Sequence, residues 1–159
     1  SFMPEQADIF LEPLLRGLAK SGRTLANIDV QVGGSLEIDD DVERLIEARR
    51  PAMAFTLGGM GSAKTNFYND AFKRAGYAEA AEAVQALWVS GDKAAAIRAV
   101  PDEMVLKTNL IGTREMIVER IKAYAAAGVT TLRISTSGQN WRERTETLAE
   151  ATDLIHSIQ

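Results

Sequence analysis

Residues 27–34 read NIDVQVGG, and residues 128–135 read GVTTLRIS; these two stretches decide the fold class. In the first, apolar and polar residues alternate over positions 28–32, which is typical of a strand with one buried face. We expect this strand to end at Gly33-Gly34. The second stretch predicts another, more apolar strand, followed by a turn at Ser137-Gly138.

Most of the remaining sequence has helical spacing of its apolar residues. It predicts helices over residues 4–20, 42–58, 66–74, 78–89, 93–100, 113–127 and 141–157. Pro13 and Pro51 fall inside two of these segments, where we expect a kink or a break. No repeat or linker divides the chain, so residues 1–159 are expected to form one unit. Two strands about a hundred residues apart make a poor free-standing sheet.

Composition excludes several classes of protein. The 159 residues carry a net charge of −4, one histidine and no cysteine. A disulfide framework, a cysteine nucleophile and a His-rich zinc centre are therefore excluded, and the acidic balance disfavours nucleic acid as a partner. No apolar run is long enough for a membrane span and no signal peptide is evident, so we expect a cytoplasmic protein without a membrane partner. A complete (β/α)₈ barrel needs about 250 residues, so a chain of 159 residues is too short to form one.

The segment GGMGSAKT, Gly58 to Thr65, nearly matches the phosphate-binding pattern G-x-x-x-x-G-K-[ST]. Ala63 stands where that pattern has its second glycine, and no downstream strand offers an aspartate for Mg²⁺. A glycine-rich loop that caps a helix is the favoured interpretation. Free amide groups at the next helix start, near Lys64, leave an anion site open as an alternative.

Other polar features have structural interpretations. The run Asp39-Asp40-Asp41 fits the start of a helix better than a metal site, and no metal is expected. His156, near the C-terminus, has no nominated nucleophile or acid around it. In parallel α/β proteins the chemistry collects at the carboxyl ends of strands, which here are Gly33-Gly34-Ser35 and Ser135-Thr136-Ser137.

Four segments together resemble the luciferase-like monooxygenases, and in particular the oxidoreductases that use the deazaflavin coenzyme F420. They are FMPE (2–5), IDVQVGG (28–34), GGMGSAKTNFYNDAFKRAGY (58–77) and IGTREMIVERIKAYAAAGVTTLRI (111–134). The resemblance covers nearly the whole chain but only the C-terminal half of the family. It favours a fragment of a longer protein over a natural start at Met3.

The resemblance implies an α/β fold: the C-terminal part of a (β/α)₈ TIM barrel, helix-rich, with about two strands retained. Residues 27–32 would be the seventh barrel strand and residues 130–135 the eighth. Residues 39–127 would form a long helical excursion between them. The strand that precedes residues 4–20 in the family is absent here.

The resemblance also implies a function, which is hydride transfer between F420, with FMN as the alternative, and an organic substrate. It assigns no catalytic residue. Its cofactor-binding candidates are Gly58, Gly59 and Lys64, and its substrate-binding candidates are Phe2, Met3, Gly33, Gly34, Asn66, Ser135 and Thr136. Because most cofactor contacts in the family come from the first six strands, this chain is not expected to bind the coenzyme or to act alone.

Two other functions stay open at this stage. The chain is alternatively a non-enzymatic, helix-rich interaction module that pairs through exposed strand edges, or a phosphate or nucleotide binder that uses Gly58–Thr65. The expected partners are the N-terminal half of the barrel, if it is a separate chain, or a second copy of this chain in a homo-oligomer.

Overall fold

The computed structural model describes residues 2–62, 64–136 and 138–158, which group into two compact units. The described residues up to Val42 and from Lys107 onward form the first unit, and Glu43–Leu106 form the second. Most of the excursion between the two predicted strands falls in the second of these units. That the whole chain forms one unit without a linker stays a prediction. Ser137 of the predicted turn and Ala63 of the glycine-rich segment lie outside the described residues.

Helices dominate the described ranges, and three strands accompany them there. In chain order the elements are α1 (Asp8–Lys20), β1 (Gln31–Ile38), α2 (Val42–Gly58), α3 (Phe67–Phe72), α4 (Ala78–Val89), α5 (Lys93–Arg98), α6 (Asp102–Thr108), β2 (Leu110–Gly112), α7 (Arg114–Ala126), β3 (Thr131–Thr136) and α8 (Trp141–His156). The predicted helices are all present, and α6 is a further helix that the sequence pattern did not predict. Helices α1 and α2 each run through their internal proline without ending there. Within the described ranges, no helix is long and apolar enough to span a bilayer.

The three strands form one parallel sheet in the order β2-β1-β3. Strand β1 pairs with β3 over Gln31–Leu36 and with β2 only over Leu36–Ile38. The parallel, helix-rich α/β class predicted from the sequence is confirmed. Strand β2 was not predicted, because its three residues are all buried and show no alternation between polar and apolar side chains.

The prediction that β1 ends at Gly33-Gly34 is wrong. Both glycines lie inside the strand, which continues to Ile38. Tertiary contacts override the weak strand propensity of glycine, because Leu36 is 1% exposed and pairs with Leu110 of β2. The carboxyl end of β1 therefore lies about four residues beyond the predicted one.

One face of the sheet packs against helices α7 and α8 and forms the core of the first unit. Val32 and Leu36 of β1 meet Ile117 and Tyr124 of α7, and Ala151 and Leu154 of α8 complete the cluster. Side chains alternate along a strand, so the residues between Val32 and Leu36 that point away from this cluster occupy the opposite face.

The second unit is a helical cluster with its own core. Arg50 of α2 donates hydrogen bonds to the carboxylates of Glu47 and Asp102 and to the carbonyl of Val100. Its side chain is 14% exposed, and these contacts satisfy a guanidinium that is mostly withdrawn from water. Arg50 thereby ties α2 to the start of α6 within this unit.

A polar cluster joins β1 and β3 at their amino ends. The Asp29 carboxylate accepts hydrogen bonds from the hydroxyl groups of Thr130 and Thr131, the latter at 2.8 Å, and from the Gln31 amide at 2.6 Å. The Thr130 hydroxyl oxygen also accepts from the amide of Val30 at 2.8 Å. The hydrogen bonds from Thr130, Gln31 and Thr131 lower the pKa of Asp29. This cluster fixes the register at which the two strands begin.

We expect Asp29→Asn to destabilise the chain at neutral pH, because the neutral amide loses the charge-assisted hydrogen bonds. The folded-state pKa of Asp29 is depressed, so its stabilisation is present above the usual aspartate value of 3.8 and is lost as the pH falls through the folded value. Urea denaturation of both proteins between pH 7 and pH 3 measures this difference.

The control for Asp29→Asn is Asp153→Asn, which removes the same charge from an exposed position on α8. The gap in denaturation midpoint between the parent chain and Asp29→Asn should close toward pH 3. A gap of constant size across that range would contradict the assigned role of the carboxylate.

Candidate functional site

The face of the sheet opposite the core is polar and open. Here β1 contributes Gln31, Gly33 and Ser35, while β3 contributes Thr131, Arg133 and Ser135. In the parallel register Gly33 is paired with Arg133, and Ser35 with Ser135. Small and hydroxylated residues at this face leave room for a ligand near the carboxyl ends of the strands, where parallel α/β folds place their chemistry. We call these six residues the polar face.

The polar face includes some of the predicted substrate residues and excludes others. Gly33 and Ser135 lie on it. Gly34 and Thr136 belong to the alternate positions, which face the helices, since Gly34 is paired with Ile134 and Thr136 with Leu36. Arg133 was not singled out from the sequence. The alternation within TTLRIS puts Arg133 on one face of the strand and Leu132 and Ile134 on the other. This pattern is the signal from which Arg133 could have been identified.

Phe2 and Met3, two further substrate candidates, pack into the first unit. Met3 is 1% exposed. The half-buried ring of Phe2 stacks on Tyr124 with a centroid distance of 6.1 Å and lies 5.4 Å from Phe10. These contacts anchor the start of the chain on α7, and the assignment of the two residues to substrate stays a prediction.

Arg120 of α7 binds the same N-terminal segment. Its guanidinium donates to the Glu5 carboxylate and the Lys107 carbonyl, and lies 5.5 Å from the centroid of the Tyr124 ring. Partial burial alone would raise the pKa of Glu5, but the hydrogen bond and charge of Arg120 bring it below its ordinary value. Burial raises the pKa of Tyr124, against the influence of Arg120. All of these contacts are internal, so the cluster is structural.

We call residues 58–66 the glycine loop, and its described residues, 58–62 and 64–66, belong to the second unit. Gly58 is the last residue of α2 and is buried. A Cβ atom at Gly58 would lie 2.3 Å from Cβ of Trp88, and one at Gly59 would lie 2.6 Å from the Phe55 ring. Gly58 thus allows α2 to pack closely against Trp88 of α4. Gly59 allows the chain that leaves α2 to pack against the Phe55 ring.

Four of the described amide groups around Lys64 and the start of α3 already have side-chain partners. The hydroxyl oxygen of Ser62 accepts from the amides of Lys64 and Thr65 at 3.2 and 3.0 Å. The side-chain oxygen of Asn66 accepts from the amides of Tyr68 and Asn69, both at 3.1 Å. The described amides of Lys64, Thr65, Tyr68 and Asn69 are therefore engaged, which disfavours the phosphate or nucleotide alternative.

Asn66 is 3% exposed and connects two helix ends. Its oxygen caps the start of α3, while its NH₂ group donates to the Leu57 carbonyl at 2.8 Å at the end of α2. Asn69, which is 1% exposed, donates to the same carbonyl at 2.9 Å and to that of Ala81 at 2.7 Å. Lys64 is exposed. The roles predicted for Asn66 in substrate binding and for Lys64 in cofactor binding stay predictions.

Two further features bear on function. Among the residues with described positions, no group of three or more His, Asp or Glu side chains could hold a metal ion. An apolar cavity of about 400 Å³ lies at the amino end of β3, lined in part by Tyr124, Val129, Leu132 and Ile155. Its lining residues lie at the amino end of β3, whereas chemistry is expected at the carboxyl ends of the strands. His156, at the end of α8, is exposed.

The sequence is similar to a known protein family and to individual members with assigned activities. A sequence model of the luciferase-like monooxygenases matches residues 2–131. A Mycobacterium tuberculosis protein assigned as a coenzyme F420-dependent oxidoreductase is 29% identical over 136 residues, which are 84% of this chain and 39% of the relative. A 5,10-methylenetetrahydromethanopterin reductase of Archaeoglobus fulgidus is 28% identical over 127 residues, covering 80% of this chain and 38% of the relative.

A solved structure shows the same fold. The F420-dependent tetrahydromethanopterin reductase of Methanopyrus kandleri superposes with a TM-score of 0.70 and 23% identity. The match covers 99% of this chain and 43% of the reductase. This chain therefore spans about two fifths of the length of the proteins that it resembles, and its fold is that of part of a (β/α)₈ barrel.

Gly58→Ala tests whether the glycine loop is built for packing. The added methyl group would collide with Trp88, so we expect a loss of about 1–3 kcal/mol in the free energy of unfolding. Gly17→Ala in α1 is the matched control: its Cβ would meet nothing within 4 Å, and alanine in a helix should stabilise by about 0.5–1 kcal/mol. Urea denaturation followed by circular dichroism measures both. Equal effects of the two substitutions would refute the packing role of Gly58.

Proposed function

The chain belongs to the luciferase-like monooxygenase family, and from this premise we propose that it is the C-terminal portion of an oxidoreductase that transfers hydride between coenzyme F420 and an organic substrate. The supporting relatives are named as F420-dependent proteins. The observation that carries the proposal is the polar face, which is open toward the carboxyl ends of a parallel sheet and lined by small and hydroxylated residues.

Of the two candidate regions, the polar face suits a ligand better than the glycine loop does. At the polar face, Ser35 and Ser135 offer hydroxyl groups and Arg133 offers a guanidinium to a ligand. In the glycine loop, Ser62 and Asn66 already accept the nearby amide hydrogens. When bound, the coenzyme supplies the carbon atom that gives or takes the hydride. The residues of the polar face would orient the ring and the substrate.

The open edges of the sheet support a dependence on further strands. Within the described part of the chain, β3 pairs on one side only, and β1 has no second partner over residues 31–35. In a closed barrel both edges pair with neighbouring strands. We therefore expect this chain alone to bind no coenzyme and to transfer no hydride.

Rejoining the chain to the N-terminal part of its M. tuberculosis relative tests the proposed activity. The rejoined protein should bind F420 and transfer hydride, whereas the 159-residue chain alone should do neither. Binding is measured by the fluorescence of F420, with FMN titrated in parallel, and folding by circular dichroism. The full-length relative is the positive control. A folded, rejoined protein that binds neither F420 nor FMN would refute the proposal.

A second candidate function, association through the strand edges, is favoured by the same open edges. Unpaired N–H and C=O groups along β1 and β3 are a template for pairing with another strand. On this hypothesis the chain forms homo-oligomers, which multi-angle light scattering detects. The substitution Leu132→Pro in β3 should then reduce the measured mass of the assembly. A parent chain that is monomeric at all concentrations and binds no apolar dye would contradict the hypothesis.

A further inference from the structure

Arg133 is a cation without a counter-ion on the polar face. It lies in the middle of β3, is exposed, and forms neither an ion pair nor a side-chain hydrogen bond with any residue that the structure describes. The carboxylate at the amino end of this face, Asp29, is engaged by Thr130, Thr131 and Gln31. In a chain with a net charge of −4, an arginine that points away from the core and pairs with no carboxylate calls for an explanation.

Gly33 provides the space that this arginine occupies. The side chain of Arg133 reaches across to β1, where a Cβ atom on Gly33 would lie 3.3 Å from Nε and 3.4 Å from Nη2. The guanidinium thus lies over the backbone of the neighbouring strand. Gly34, on the opposite face, has nothing within 4 Å of the same hypothetical atom. The missing side chain matters at one of the two glycines only.

Two hydroxyl groups lie two residue pairs closer to the carboxyl ends of the strands. Ser35 and Ser135 are paired with each other, and neither hydroxyl group hydrogen-bonds to another of the described residues. Paired strands lie about 4.8 Å apart, and residues two apart on a strand about 6.6 Å. A small anion over the sheet can therefore reach the guanidinium and at least one hydroxyl group together.

We propose that Arg133, with Ser35 and Ser135, binds the anionic group, a carboxylate or phosphate, of the organic substrate. The guanidinium supplies two parallel N–H donors, the geometry that suits either anion. Gly33 is the positioning residue, because the space beside its Cα, where another residue would have a side chain, is available to the Arg133 guanidinium. The assignment of the anion to the substrate rests on the proposed function, whereas binding of the anion by this face does not.

Titration of the 159-residue chain with succinate and with inorganic phosphate tests the site. Nuclear magnetic resonance should show saturable shifts of the Gly33 and Ser135 amides and of the Arg133 Nε–H group with at least one of the two anions. Arg133→Gln should weaken that binding at least about tenfold. Arg133→Lys should weaken it less, because lysine keeps the charge but lacks the two-pronged geometry.

A pair of glycine variants separates position from charge. Gly33→Ala leaves the net charge unchanged but places a methyl carbon 3.3 Å from Nε of Arg133, so the guanidinium must shift and binding should weaken several-fold. Gly34→Ala is the matched control and should leave binding unchanged, since its methyl group meets nothing. Arg142→Gln, on α8 with a side chain that is 78% exposed, controls for the loss of one positive charge elsewhere.

Absence of saturable binding, binding that survives Arg133→Gln, or an equal loss in Arg142→Gln would overturn the proposal. If Arg133→Gln weakens F420 binding in the rejoined protein by the same factor as succinate binding, the site stands and the anion comes from the coenzyme. If the chain binds succinate through Arg133 while the rejoined protein binds no coenzyme, the site again stands and only the proposed function fails.

Discussion

The parallel pairing of β1 with β3 is the constraint on which the first unit depends. Two strands about a hundred residues apart align over six residue pairs, from Gln31–Thr131 to Leu36–Thr136. A slip of one residue would turn Val32 and Leu36 away from α7 and α8, so the core holds the register. Asp29 and the two threonines hold it independently at the amino end. This register also places Gly33 beside Arg133 and so builds the polar face.

The glycine loop shows how a binding motif and a packing device share one sequence pattern. Glycines that precede a lysine and a helix suggest a phosphate cradle, because backbone amides near a helix start attract anions. Here Ser62 and Asn66 accept those amide hydrogens, and Gly58 admits the side chain of Trp88. A pattern of residue types does not say which group accepts the hydrogen bond from a backbone amide. In this loop the acceptors are side-chain oxygens of the protein and not a bound phosphate.

Sequence patterns predicted the helices well, because apolar spacing reports a buried helix face directly. They were less informative for the strands. The continuation of β1 beyond Gly34 depends on Leu110 of a strand far along the chain, and local propensity does not report such a contact. Strand β2 is too short and too uniformly buried to show a period. The family resemblance supplied the parallel sheet and the partial barrel, both of which the structure confirms.

By itself, the sequence determined the helix-rich α/β class, the two principal strands, the family, and the absence of cysteine chemistry. Only the tertiary structure decided which residues share a face. Gly33 and Gly34 are neighbours in the chain, yet alternation along β1 sends one toward Arg133 and the other toward the helices. The physical reason is that strand register and side-chain direction depend on the partner strand and on the packed core, both of which lie far away in the sequence.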